Sequence, residues 1–382
     1  MRYNLYTETR KNGEVIMKKI ISMITSIALT LALFPVFSMT GSAELVTENG
    51  ITFSIDKGIA KVYGVEEDIT DLVIHEYIGE NKVEKISLPE KEHNFTTITI
   101  PASIKTICLY KCTNLTDFYV DEANENYCSA DGILYSKDMK TLIFYPPART
   151  NTTFTVPDCV EKIGEQIEFE YTGFSYAVNL KEIILPENLI EIDDCAFAYC
   201  TFETIELPKS LIKLGGSTFA FNTNLKEITI PENVESFVEP FFGCDNLETL
   251  ILLREININL YQSLGEIKDR DYLHLLNEHQ TKITVYVPDN RLTLYSEVAE
   301  FWQNTASTIL PLSEMPYEII SGDVNFDQTL SISDIIMLQK GLANYDCVKM
   351  WKAGDMDGNE DVNIFDLIIM KREIIEFKDC NV

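Results

Sequence analysis

Three consecutive segments repeat one pattern: NLKEIILPENLIEIDDCAFAYC, TFETIELPKSLIKLGGSTFAFNT and NLKEITIPENVESFVEPFFGC. Their prolines, Pro186, Pro208 and Pro231, stand 22 and 23 residues apart. Each unit offers a short alternating strand, such as Leu180, Ile183 and Leu185, and a proline that stops it. A turn follows, whose aromatic residue (Phe197, Phe219 or Phe242) is expected to fill the interior. A unit this small cannot bury its apolar side alone. Stacked units share one core, so the pattern predicts a solenoid.

The signature recurs upstream in ITIPASIKTICLYKCTNL and FTVPDCVEKIGEQIEF. Between them, VDEANENYCSADGILYSKDMKTLIFYPPART reads as a β-hairpin inserted into the repeat frame. Cys112, Cys200 and Cys244 occupy the same place in their units. In-phase residues of this kind predict one buried stack of small side chains rather than disulfide partners. The odd total of nine cysteines agrees with free thiols, while the state of Cys347 and Cys380 is left open.

The unit Leu-x-x-Ile-x-Ile-Pro-x-x-Val-x-x-Ile-Gly-x-x-x-Phe-x-x-Cys resembles the BspA-like leucine-rich repeat of bacterial surface antigens. The DGILYSKDMKTLIFYPP interruption is similar to that family too. So is ITVYVPDNRLTLYSEVAEFWQNTASTILPL, with a last strand and a capping helix around Tyr295 to Trp302. The resemblance spans roughly Ile51 to Leu312 and implies a right-handed, curved, β-rich α/β solenoid that binds a protein or a glycan. ITFSIDKGIAKVYGVEEDITDLVIHEYI is expected to form a β-rich N-terminal cap. Tyr171, Phe174 and Tyr176 are candidate exposed aromatics for ligand contact.

A second doubling follows between Ser321 and Ile375. Calcium takes six to eight hard oxygen ligands, which an EF-hand loop supplies from places 1, 3, 5, 7, 9 and 12. Counting from Asp323 gives Asp323, Asn325, Asp327, Thr329 by its carbonyl, Ser331 through water, and Asp334. Counting from Asp355 gives Asp355, Asp357, Asn359, Asp361 by its carbonyl, Asn363 and Asp366. The eighth place is aliphatic in both (Leu330, Val362), and each closing Asp is expected to start a helix. Place 6 carries Gln328 and Glu360 instead of the usual Gly, place 12 is Asp rather than Glu, and no entering helix is expected before either loop.

A loop–helix unit repeated in this way resembles a type I dockerin, covering about Ser321 to Glu376. The resemblance implies a small all-α domain folded around two calcium ions. It also implies docking onto a cohesin domain of a scaffoldin, as in cellulosomal proteins of Clostridium and Ruminococcus. Carried over by loop place, the cohesin contacts are Ile332, Ser333, Gln339 and Lys340, then Ile364, Phe365, Lys371 and Arg372. They depart from a Ser-Thr recognition pair, and the two halves differ, which argues against two interchangeable docking orientations.

The remaining features bound the function. Against 31 Lys and Arg stand 60 Asp and Glu, a formal charge of −29 that disfavours a nucleic-acid partner. From Met17, MKKIISMITSIALTLALFPVFSMTGSA has the charged, apolar and small-residue order of a cleaved secretion signal, with Met17 the expected start. The expected order is signal 1–43, cap 44–90, solenoid 91–315 and dockerin 321–382, in a secreted protein without a permanent membrane span.

A glycosidase needs two carboxylates across a sugar cleft. Here Glu182, Glu187 and Glu191 fall at repeat positions expected to face solvent. His274 and His279 do not have the spacing of a His-Glu-x-x-His zinc helix, and no nucleophile elbow or phosphate-binding glycine loop is present. The reading is a non-catalytic binding or adhesion protein acting in plant polysaccharide degradation. The alternative is a dockerin-borne polysaccharide hydrolase with its site in the solenoid or in Ser263 to Lys282.

Overall fold

The computed structural model describes residues 43–89, 91–165, 172–235, 240–253, 283–293, 308–316, 320–326, 329–344 and 350–379 apart from Glu360, together with Ser296 and Val348. The signal-like segment, the segment 254–282 with His274 and His279, most of the expected Tyr295–Trp302 helix, Tyr171, Cys347 and Cys380 lie outside them. Among the described residues, no helix is long and apolar enough to cross a membrane.

The repeats contribute strands to two parallel ladders. The first ladder begins with β3 (Ile59–Val65), β6 (Asn81–Ser87) and β8 (Thr106–Cys108), paired in parallel. It resumes as β12 (Thr141–Phe144), β14 (Lys162–Ile163), β16 (Glu191–Ile192) and β17 (Lys213–Leu214). The second ladder runs through β4 (Asp71–Val73), β7 (Thr97–Ile100) and β9 (Asp117–Val120), then β13 (Thr153–Thr155) and β15 (Glu182–Ile184). It ends with β18 (Glu227–Ile230), β19 (Thr249–Leu252), β20 (Thr284–Val287) and β21 (Thr308–Pro311). At the N-terminus, β1 (Glu44–Glu48) and β2 (Ile51–Asp56) extend β3, and β5 (Tyr77–Ile78) folds back on β6. Parallel pairing therefore starts at Ile59, inside the segment expected to be a cap. Another strand, β21, follows β20, which was expected to be the last.

The second ladder is interrupted at Thr204–Leu207, which forms no strand. This is the rung with the 22-residue proline spacing. Between the in-phase Cys200 and Pro208 it is one residue shorter than the stretch from Asn222 to Pro231. A one-residue change moves alternate side chains to the opposite face of a strand, so ladder pairing and core packing cannot both be kept. Ile205 and Phe202 keep their places in the core, and the ladder breaks.

The insertion is a three-stranded meander. Its strands β10 (Tyr127–Ala130) and β11 (Ile133–Ser136) pair antiparallel, and β11 pairs antiparallel with β12. Because β12 also pairs in parallel with β14, the insertion supplies a rung of the solenoid.

Phe174, Phe197, Phe219 and Phe241 stack along the interior, with centroids 5.2, 5.6 and 5.8 Å apart. Two expectations are corrected by this stack. Phe241 is fully buried where Phe242 was expected, because it stands three places before the in-phase Cys244, as Phe197 does before Cys200 and Phe219 before Asn222. Phe174 is buried in the same stack and is no exposed ligand contact. A second ladder lies outside it: Tyr176 on Tyr199 at 4.5 Å and Tyr199 on Phe221 at 4.6 Å, both pairs nearly parallel.

The in-phase cysteines are buried, and all seven described cysteines are free. They do not form one stack: Cys112 belongs to the N-terminal core, while Cys200 and Cys244 belong to the central one. Their thiols are also polar partners. Cys200 Sγ donates to the carbonyl of Phe174 at 3.2 Å, and Cys244 Sγ to that of Phe219 at 3.0 Å. Asn222 fills this place in the intervening rung and reaches the carbonyl of Phe197 at 2.8 Å. Each rung thus satisfies a buried carbonyl of the rung before it.

Glu182 and Glu187 face solvent as expected, but Glu191 is half-buried. Its Oε1 accepts from Lys162 Nζ at 3.0 Å and Lys213 Nζ at 2.6 Å, and Lys162 also reaches Asp193 at 2.9 Å. Burial opposes ionisation of Glu191, yet the two ammonium groups hold its carboxyl below the usual range.

Candidate functional site

Among the described residues, the C-terminal module has three helices: α1 (Ile332–Asn344), the single turn α2 (Trp351–Gly354) and α3 (Ile364–Asp379). Contrary to expectation, α2 leads directly into the second loop. Each long helix starts two residues before its loop's closing Asp. Asp334 and Asp366 are therefore third-position helix residues that reach back to the preceding turn. Asp334 Oδ2 accepts from Ser331 N and Oγ at 2.9 and 3.1 Å, while Ser331 Oγ accepts from Ser333 N at 3.2 Å. Asp366 Oδ2 accepts from Asn363 N at 2.8 Å, and Asn363 Oδ1 accepts from Phe365 N at 2.9 Å. Both are reciprocal caps, with the N-cap side chain on the second helical N–H and the third-position Asp on the N-cap N–H, which fix each closing carboxylate at the loop's mouth.

Both closing carboxylates are fully buried, and their other oxygens hold the loop backbone. Asp334 Oδ1 accepts from Asn325 N at 3.2 Å. Asp366 Oδ1 accepts from Met356 N and Asp357 N at 2.9 and 3.3 Å. Asp355 Oδ1 accepts from Gly358 N and Asn359 N, Asp357 Oδ1 also from Asn359 N, and Asn359 Oδ1 from Asp361 N. Asn363 Nδ2 donates to the Asp361 carbonyl. The second loop thus winds around its own oxygens. One carboxylate oxygen from each of Asp355, Asp357 and Asp366 lies within 4.8 Å of the others. Three hard anionic oxygens so close repel one another unless a cation lies between them, so this donor set fits calcium.

In the first loop Asp323 is buried, Asn325 and Ser331 are half-buried and Thr329 is exposed, while Asp327 and Gln328 lie outside the described residues. At place 4 of the two loops, Phe326 and Gly358 have left-handed backbones with φ of 59° and 73°, while the place-6 residues Gln328 and Glu360 lie outside the described residues. Leu330 and Val362 pack against the module's core as expected.

Of the expected partner contacts, Ile332, Ser333, Gln339, Lys340, Ile364, Phe365 and Arg372 are exposed, and Lys371 is half-buried. Phe365 is 65% exposed and Ile364 55%. The sequence reading missed Ile336 and Ile368, which stand four residues beyond Ile332 and Ile364 and are nearly half exposed. The i, i+4 rule of a helix face would have found them.

The architecture is a strand-and-turn solenoid closed by a paired acidic-loop module. Residues 137–268 match the BspA type leucine rich repeat region in six copies, and residues 321–375 match the dockerin type I domain. The chain therefore carries a leucine-rich-repeat region and a type I dockerin domain. Type I dockerins bind calcium and imply a cohesin partner; both families are non-catalytic, and together they point to an extracellular or surface protein.

Similar solved structures include a leucine-rich repeat protein from Eubacterium ventriosum, at 20% identity and TM-score 0.37, over 55% of this chain and 77% of that one. The pneumococcal vaccine antigen PcpA matches at 17% identity and TM-score 0.45, over 70% and 98%. A leucine rich cell surface protein from Faecalibacterium prausnitzii matches at 25% identity and TM-score 0.38, over 50% and 52%. Comparison with curated proteins found no match.

Proposed function

We propose that this chain is a secreted, non-catalytic binding or adhesion protein. Its solenoid holds a protein or glycan, and its dockerin plugs it into a cohesin of a scaffoldin, in the setting of plant polysaccharide degradation. The observation that carries this reading is the convergence of Asp355, Asp357 and Asp366 directly beside exposed Ile364 and Phe365. A cation held by the first three residues fixes the helix start that presents the other two.

In this reading two calcium ions bind. One is held by Asp323, Asn325, Asp327, Thr329, Ser331 and Asp334, the other by Asp355, Asp357, Asn359, Asp361, Asn363 and Asp366. Calcium supplies the positive charge that lets these carboxylates share a loop. The docking face consists of Ile332, Ser333, Gln339 and Lys340 on α1, and Ile364, Phe365, Lys371 and Arg372 on α3. The α3 half is the more apolar, with Ile368 and Ile375 extending its exposed surface. That inequality favours a single docking orientation.

The test is an array of cohesins, glycans and peptides probed with the full mature protein. Calcium-dependent capture by a cohesin, with no product released from any glycan, supports the reading. Release of a cleaved product defeats its non-catalytic part, and capture by no cohesin defeats the docking part.

A further inference from the structure

The second ladder presents one outward-facing row along its length. Where no other element covers the row it is open to solvent: Val73 is 45% exposed, Tyr119 54% and Ile184 52%. At the C-terminal end the same row runs Thr229, Ile251, Tyr286, Leu310, paired strand to strand. There it becomes apolar and closes over, with Ile251 2% and Tyr286 7% exposed.

What covers it is the dockerin. Ile251, Leu253 and Tyr286, with Leu312 and Met315 just past the last strand, form one continuous buried cluster with Val324, Leu338, Val348, Met350, Ala353, Leu367, Met370 and Ile374. Helix α2 lies against the turn Leu312–Glu314. The exposed residues of α1 and α3 remain available. The module therefore has two working sides, one toward solvent and one buried on the solenoid.

We propose that the dockerin is also the C-terminal clamp of the solenoid, so that calcium held in its loops fixes rungs β19 to β21. This rests on the calcium reading given above. Terminal repeats lack a neighbour on one side and need a cap. Leu330 and Val362 tie both acidic loops to the shared cluster. Without the cation, the packed carboxylates of the loops repel, the module loosens, and Ile251, Tyr286 and Leu310 are left facing water. A ligand that binds only the closed state stabilises everything that opens with that state.

The test is amide hydrogen exchange on the full chain in calcium and in chelator, with calcium uptake measured separately by titration calorimetry. With calcium at a hundredfold excess over its Kd, exchange in β19–β21 is expected to slow by up to about 100-fold, while β7 and β9 do not change. The control is the double variant Ile251→Thr and Leu310→Thr, which repeats the Thr229 residue of the same row and so keeps strand propensity. It is expected to take up calcium but lose the protection of β19–β21. Calcium uptake without any change in β19–β21 exchange in the unsubstituted chain overturns the clamp and leaves the calcium site standing. No calcium uptake at all overturns both.

Discussion

Tyr199 lies flat on Phe221, their rings 4.6 Å apart and 15° from parallel, although both residues have a left-handed backbone with φ of 59°. Tyr176, at φ 63°, continues the ladder, and the next rung puts Gly243 at this place with φ 72°. Non-glycine residues in this region carry about 1–3 kcal/mol of strain. An aromatic pair returns about 0.5–1.5 kcal/mol beyond burial, and Tyr199 makes two such pairs. Tyr199→Ala keeps the strain and loses both stacks, whereas Tyr199→Gly loses the stacks and relieves the strain. The expected order of melting temperatures is wild type, then Gly, then Ala. Ala above Gly would show that the backbone is not strained there.

Asn222 is fully buried and donates to the carbonyls of Phe197 and Phe219, both at 2.8 Å. Asn222→Ala removes both bonds without a replacement and is expected to destabilise the solenoid by about 1–3 kcal/mol in chemical unfolding. In the neighbouring rungs a thiol serves the same carbonyl position, and burial pushes the Cys244 thiol up to about 12. Asn222→Cys is therefore expected to recover part of the loss. The new thiol should react with alkylating reagents near pH 8 only after unfolding.

The Glu191 carboxyl is held below its ordinary 4.5 by Lys213 and Lys162, against the opposing effect of burial. A carboxyl whose folded value is depressed contributes stability above its unfolded value, and that stability is lost as pH falls through the folded value. The gap in stability between wild type and Glu191→Gln is therefore expected to be full at pH 6 and to close progressively below pH 4.5. Thermal melts of both proteins across that range measure it. A gap that widens with acid would contradict the ion ladder.

What could be read from sequence follows from what is local. The proline spacing and alternating aliphatics specify a solenoid because each rung repeats the same short-range instruction. The acidic loops are equally local, since places 1 to 12 are consecutive residues. What escaped reading depends on neighbours. Phe242 and Phe241 are adjacent in sequence, and the core takes Phe241, whose ring stacks on Phe219 of the neighbouring rung. Glu191 fits a solvated face until Lys162 and Lys213 arrive on adjacent strands. The burial of Ile251 and Tyr286 beneath the dockerin joins residues that are distant in the chain, and no repeat pattern encodes it.

Within the second loop the twelve places are not equivalent. Asp366 is buried and holds three backbone N–H groups, whereas Asp357 is exposed and holds one. Asp366→Ala removes a cation ligand together with the helix cap, and is expected to abolish calcium uptake by that loop and melt the start of α3. Asp357→Ala is expected to weaken calcium binding while leaving the helix. Circular dichroism alongside calorimetric titration separates the two outcomes; equal helix loss in both variants would contradict the capping role of Asp366.

The central claim is that a calcium-organised face containing Ile364 and Phe365 docks onto a cohesin. Its most direct measurement is the dissociation constant of the full chain for the cohesin selected on the array, in calcium and in chelator, for wild type and Phe365→Ala. The account predicts binding in calcium and none in chelator. A central aromatic anchor of this kind carries at least about 2 kcal/mol, so Phe365→Ala should weaken binding about 30-fold with calcium uptake unchanged. Equal affinity with and without calcium, or for wild type and Phe365→Ala, would contradict it.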